Sequence, residues 1–320
     1  MSILVKTEIR YQYKFRKGTE VLGVLPLSGN DLAIFKHQLG NPTVSVYGNF
    51  EKEINLPNPT KFNNLNFYIS FFKYKKGFGL SDSFGKIILC ESLEYKLKSV
   101  QLKHPYPDEA THPLPFLSSV IYNEDDDTFI IGVEEATSVF FPPKYWTQIK
   151  IGNQNIFKFL KRKIAIKELK TLDVKRYPKT SRNFYDGEWL NIQSIGAYKN
   201  KTLIYTNGGA ATRSKSGPDF EFSILSEFDK DFKFIINHHL EKGKLFFTAS
   251  QDYFILLPQS RKKLIVYNKH NFQVDYEVSL TPKQNLGMAK STDVYFVNMY
   301  GNYLYIGGKG FLNICKLKNK

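Results

Sequence analysis

The sequence predicts an all-β fold, a six-bladed β-propeller closed by its own N-terminal strand, with seven blades as the alternative count. Three observations predict it. Two-strand units recur roughly every 45 residues along the chain. The last unit is one strand short. The N-terminus is strand-like and has no earlier strand to pair with. Aromatic residues, chiefly 27 Phe and 20 Tyr, make up 15% of the 320 residues, and such side chains favour half-buried pleated surfaces.

Taken in order, the segment from Leu4 to Tyr13 alternates like a strand. Val44–Tyr47, a Gly48-Asn49 turn and Phe50–Asn55 form the first hairpin, followed by Leu56-Pro57. Ile87–Cys90 and Leu93–Leu102 form a second. Ile164–Ile166 with Leu172–Val174 is a third, and Phe222–Leu225 with Phe228–Ile236 a fourth. The clearest copy is Leu264–Tyr267, the turn Asn268-Lys269-His270-Asn271, and Phe272–Leu280. Each alternates with the strand period of two and turns on Gly, Asn, Asp or Lys, as the outer half of a four-stranded blade should. Apolar runs upstream supply inner strands: Val21–Leu25, Phe67–Phe72, Phe116–Tyr122, Trp189–Ile192 and Leu245–Thr248. Val294–Val297, Tyr303–Gly308 and Phe311–Cys315 then give a final unit of three strands. An unpaired edge is a liability, so the N-terminal strand is expected to supply the fourth. The long interval 107–190 is where the count of six or seven turns.

This loose repeat resembles the broad six-bladed propeller superfamily that includes TolB-like and NHL-like propellers. The resemblance covers most of the chain and implies architecture only. The Gly-His…Trp-Asp signature of WD40 repeats, the sialidase Asp box and the Tyr-Trp-Thr-Asp box are absent.

Hydrophobic residues at 42% supply a large core, and 23% charged residues are ordinary for a globular chain. Two cysteines, Cys90 and Cys315, are too few for a disulfide framework. Both lie in apolar strand-like runs and are expected to be buried thiols, with one bridge as the alternative. No signal peptide opens the chain and no apolar run reaches the ~18 residues of a membrane span. The chain as written therefore reads as cytoplasmic, or as exported if a leader has been removed.

The net charge is +15. Twelve Lys or Arg crowd residues 144–182 against Glu168 and Asp173, with aromatics such as Tyr145, Trp146 and Phe157 between them. One reading is a solvated outer blade edge. The other is a surface for nucleic acid or anionic lipid through Lys158, Lys161, Arg162 and Lys163.

Ligand-binding candidates come from segments expected near an axial mouth. Thr206–Asp219 reads as a long small-residue loop in which Arg213 and Lys215 can neutralise an anion; it lacks P-loop spacing. Tyr185–Trp189 precedes an inner strand, which makes Asp186, Glu188 and nearby Arg182 rim candidates. His238 and His239 fall at a strand end and, being adjacent, point to opposite faces; His239 is the one taken toward the channel. His104, Asp108 and His112 have metal-ligand chemistry, but their proline-rich setting reads as a connector, so no metal and no cofactor is expected. Asn123–Thr128 reads as a hairpin turn. No catalytic motif is present, and Gly-x-Ser-x-Gly is absent. The reading that follows is a monomeric binding propeller holding a protein, peptide or glycan. A propeller enzyme with an axial site is the alternative, and a basic surface is the third.

Overall fold

The computed structural model describes residues 3–4, 7–27, 31–39, 41–48, 52–60, 68–92, 96–102, 116–124, 127–134, 147–151, 155–160, 185–212, 220–229, 234–248, 252–260, 262–280 and 294–317. Every regular element among them is a strand. The N-terminal segment supplies β1 (Ile3–Leu4) and β2 (Thr7–Lys14). The first sheet is β3 (Thr19–Pro26), β4 (Leu32–Gln38), β5 (Asn41–Tyr47) and β6 (Lys52–Asn55). The second is β7 (Tyr68–Tyr74), β8 (Gly77–Asp82), β9 (Lys86–Cys90) and β10 (Leu97–Gln101). The third contains β11 (Phe116–Asn123), β12 (Thr128–Glu134), β13 (Thr147–Ile151) and β14 (Asn155–Leu160). The fourth is β15 (Tyr185–Tyr198), β16 (Lys201–Thr212), β17 (Phe220–Phe228) and β18 (Phe234–His239). The fifth is β19 (Gly243–Phe247), β20 (Tyr253–Pro258), β21 (Lys263–Asn268) and β22 (Val274–Ser279). The last is β23 (Val294–Tyr300), β24 (Tyr303–Gly308) and β25 (Phe311–Leu317).

The first strands of these sheets, β3, β7, β11, β15, β19 and β23, each abut the next, and β23 returns to β3. That ring is the axis of a β-propeller. Five sheets are antiparallel meanders of the regular blade kind. The third departs from that order: β14 rather than β13 lies beside β12, and runs parallel to it. The expected hairpin at 164–174 lies outside the described residues. The outer strands of this sheet come instead from the β13–β14 hairpin.

Closure uses both chain ends. Strand β2 pairs antiparallel with β25 from Thr7↔Leu317 to Lys14↔Phe311, completing the last sheet. Strand β1 pairs parallel with β22, adding a fifth strand to the neighbouring sheet. A few consecutive residues thus bind two blades together.

Buried side chains gather where sheets face each other. Phe35, Val44 and Val46 meet Phe78, Leu80 and Ile88 between the first two sheets. Val21, Val24 and Ile34 meet Tyr305, Leu312 and Ile314 at the seam that closes the ring. Comparable clusters fill the other four seams, so the core is a set of interfaces rather than one centre. The fourth and fifth sheets share a polar seam as well. His238 bonds the buried Glu227 at 2.6 Å and stacks on Phe272 of the next sheet at 3.8 Å. Lys201 holds the same carboxylate at 2.7 Å.

One segment expected as loop is strand. Thr206–Thr212 belongs to β16, where Asn207, Gly208, Gly209 and Ala210 pair with β15 on one side and β17 on the other. Weak intrinsic strand preference is overridden when both neighbours offer hydrogen bonds.

Removing residues 1–14 should leave the long apolar strand β25 as an open edge. The expected result is a lowered melting temperature and self-association in sedimentation velocity; a monomer of unchanged stability would show that closure contributes little. A second test is Gly77→Ala. A Cβ there meets the carbonyl oxygen of Cys90, a backbone atom with no room to yield. Loss of roughly 1–3 kcal/mol in urea unfolding is expected.

Candidate functional site

The ring of inner strands encloses a central cavity of about 370 Å³. Its geometry starts from a repeated irregularity. Each of five inner strands carries a bulge, at Leu22 in β3, Ile69 in β7, Ser118 in β11, Gln193 in β15 and Tyr295 in β23. A bulge sharpens local twist and re-aims the next side chain, which here is Gly23, Ser70, Ser119, Ser194 or Phe296.

These positions make the joints of the ring. Ser70 Oγ accepts from the Val120 amide at 3.0 Å, and Ser119 Oγ accepts from the Ile195 amide at 3.2 Å. Lys244 Nζ donates to the Tyr295 carbonyl at 2.8 Å, and Asn298 Nδ2 donates to the Val24 carbonyl at 2.8 Å. Between β3 and β7 the joint is steric: a Cβ on Gly23 meets the Phe71 ring. Gly196 and Phe247 repeat that arrangement between β15 and β19. The Ser194 hydroxyl, on β15, is buried, lines the cavity, and has no hydrogen-bond partner among the described residues.

Among the described residues three cations line the cavity, Lys73, Lys244 and Lys269, and no carboxylate does. Lys73 reaches outward to Glu124 at 3.3 Å. Lys244 lies over the Phe246 ring at 5.2 Å. Lys269 stands in the turn between β21 and β22, and the turn explains its placement. Asn268 Oδ1 accepts the His270 amide at 2.8 Å, the local side-chain bond that favours Asn at such positions. The Lys269 amide donates to the Asp252 carbonyl at 2.7 Å, tying this turn to the one between β19 and β20. The side chain is therefore directed inward and is only 4% exposed.

Around Lys269 lies a cluster drawn from three separate segments. Its Nζ is 6.0 Å from the ring centre of Tyr198, the last residue of β15. The Tyr198 hydroxyl bonds His270 Nδ1, and His270 Nε2 bonds Asp252 Oδ1 at 3.1 Å. Burial lowers the Lys269 amine to about 8, with Asp252 opposing the shift. The two cysteines are free and buried, and burial raises Cys90 to about 11 and Cys315 to about 12. They are structural thiols, not nucleophiles.

The sequence-based candidates do not converge on this site. Asp186 and Glu188 are in β15 itself, at the end opposite Tyr198. His239 is exposed on β18, the outermost strand of its sheet, rather than at the channel, because β18 is three strands out from the axis. Arg182, Arg213 and Lys215 lie outside the described residues, as do His104, Asp108 and His112. Of the basic segment, Lys158 is on β14 and Lys161, Arg162 and Lys163 lie outside the described residues. No cluster of three metal-ligating side chains occurs among the described residues. The expected turn at 123–128 is present in outline: Tyr122 donates to Asp127 at 2.5 Å across the β11–β12 connection. Lys269, Tyr198 and Asp252 were not singled out by spacing, since 71 residues separate Tyr198 from Lys269 along the chain.

No family model matches the chain, and no curated protein matches it in sequence. Solved structures match in fold. Virginiamycin B lyase from Staphylococcus aureus superposes with a TM-score of 0.53 at 10% identity, covering 98% of this chain and 100% of that one. A catalytically inactive form of that lyase with quinupristin superposes with 0.53 at 9% identity and the same coverage. The Cps50 (Swd1) β-propeller domain of Myceliophteria thermophila gives 0.50 at 10% identity, covering 98% and 100%. The chain is a β-propeller on this evidence.

A pH test follows for Lys269. An ordinary lysine titrates at 10.5. Below about pH 8 the amine is charged in both folded and unfolded chains, and burial costs stability. Between 8 and 10.5 the unfolded chain keeps a proton the folded one has released, so stability rises with pH. Relative to Lys269→Met, the wild type should gain up to about 3 kcal/mol across that window in urea titrations. A difference that stays flat with pH would mean the amine is solvated.

Proposed function

We propose that this propeller is a binding module that holds an acidic glycan or peptide at one mouth of its central channel. The observation that carries the reading is the lining: among the described residues, three lysines and no carboxylate border a cavity of about 370 Å³. That volume lies within the range of small-molecule and cofactor sites, so it suits one or two sugar units or a short side-chain cluster rather than a whole folded partner. In a confined low-dielectric space a single sign of charge focuses attraction on the opposite sign. Phe246, Phe247 and Phe296 supply apolar surface beside the cations, and the Ser194 hydroxyl and Gln193 offer hydrogen bonds.

A second reading, an enzyme with an axial site, is favoured by one specific observation. Tyr198, His270 and Asp252 form a hydrogen-bonded chain beside the cavity, the arrangement by which a carboxylate orients an imidazole for proton transfer. Propellers host both kinds of function.

The test is calorimetric titration with a panel of uronic-acid oligosaccharides and Asp/Glu-rich pentapeptides beside neutral counterparts. Acidic members should bind more tightly, with affinity falling as salt rises. Lys244→Gln should weaken binding about tenfold, the loss of one charge-assisted contact. Equal affinity for neutral and acidic probes would overturn the reading. Consumption of a probe during titration would favour the enzyme.

A further inference from the structure

We propose that Lys269 is an imine-forming amine that captures small carbonyl compounds entering the central channel. Three features of its surroundings lead there. The side chain is 4% exposed yet forms part of the cavity wall, so a molecule in the channel meets it while bulk water does not. Its Nζ lies 6.0 Å from the centre of the Tyr198 ring, so the amine borders an aromatic ring rather than open solvent. The groups facing it come from three elements: Tyr198 at the end of β15, Asp252 between β19 and β20, and His270 in its own turn. Lys199 Nζ lies 5.2 Å from the centre of the same tyrosine ring.

The chemistry needs a neutral amine. Desolvation is the usual way a protein makes lysine nucleophilic near neutral pH, and burial brings Lys269 to about 8. At pH 7 about a tenth of the amine is then neutral, some two orders of magnitude more than for a solvated lysine. The Nζ lone pair attacks the carbonyl carbon and forms the C–N bond. The carbonyl π electrons pass to oxygen, which takes a proton. The nitrogen loses its protons as hydroxyl leaves as water, and a C=N bond remains. Amine and carbonyl give imine and water, with no oxidant or reductant consumed. The Tyr198–His270–Asp252 chain stands beside the amine and is suited to lend and recover the proton of the dehydration step.

This inference does not depend on the charge of the ligand proposed above. The experiment exposes the full-length protein to propanal or benzaldehyde with cyanoborohydride, which reduces an imine to a stable secondary amine, from pH 6.5 to 10.5. Modified lysines are then mapped by peptide mass spectrometry. Lys269 is expected to react at least tenfold faster at pH 7.5 than exposed Lys98 and Lys199, with its rate half-risen near pH 8. Asp252→Asn should move that half-rise to lower pH, because the opposing charge is gone; a purely structural Asp252 leaves it in place. Lys269→Met removes the fast-labelled peptide while the melting temperature at neutral pH stays at or above that of the wild type; should that variant fail to fold, the wild-type map decides alone. Labelling of Lys269 no faster than Lys199, or none at all, overturns the proposal.

Discussion

The structure depends on closing a ring in which an early strand, β2, pairs with the last described one, β25. Each sheet buries its faces only against its neighbours, so an open ring leaves two apolar faces wet. The seam of Val21, Val24 and Ile34 against Tyr305, Leu312 and Ile314 is the last to form in sequence terms. Strand β2 holds it by pairing with β25, and β1 adds a second tie to β22. The loop closed by this pairing is nearly the whole chain, and its entropic cost grows only slowly with length. A short segment making two sets of ladder bonds can offset it.

Closure also dictates what the axis looks like. Around the axis the joints between inner strands are made in two ways. Serine or asparagine spans some gaps with a side-chain bond to the next backbone, as in Ser70 to Val120 and Asn298 to Val24. Glycine elsewhere lets an aromatic ring lie against the strand, as Gly23 does for Phe71. The cavity is what remains inside four hydrogen-bonded joints and two steric ones, and part of its polar lining comes from ring-building. Function built there inherits a rigid wall.

Much of the architecture was legible because outer hairpins are local. Val44–Tyr47, Ile87–Cys90 and Leu264–Tyr267 are short, largely apolar runs bounded by turns, and they lie in β5, β9 and β21, strands buried on both faces. The unpaired N-terminal strand and the three-stranded final unit implied one another, and they do pair. The third sheet was not legible, because strand order there departs from the meander that the repeat presupposes. Nor was β16 beyond Tyr205, where Gly208-Gly209-Ala210-Ala211 carries no strand preference of its own and takes its form from two partners. Site residues were less legible. A strand end and the opposite facing of adjacent residues point to His239 but do not say which strand of a blade lies at the axis, and His239 is on the outermost strand, β18.

Lys269 illustrates why such a site escapes sequence reading. In the chain it is one cation in a hairpin turn of Asn, Lys, His and Asn, and solvent is the usual place for it. Its burial comes from Asp252 binding the turn backbone and from Tyr198 arriving on a different sheet. Both contacts exist only once the fourth and fifth sheets dock, and the His238–Phe272 stack and buried Glu227 fix that docking. The amine's altered acidity is therefore a property of the seam. A change that loosens the seam should return Lys269 to solvent before it unfolds the blade, so the reactivity of one side chain and the packing of two sheets report on the same contact.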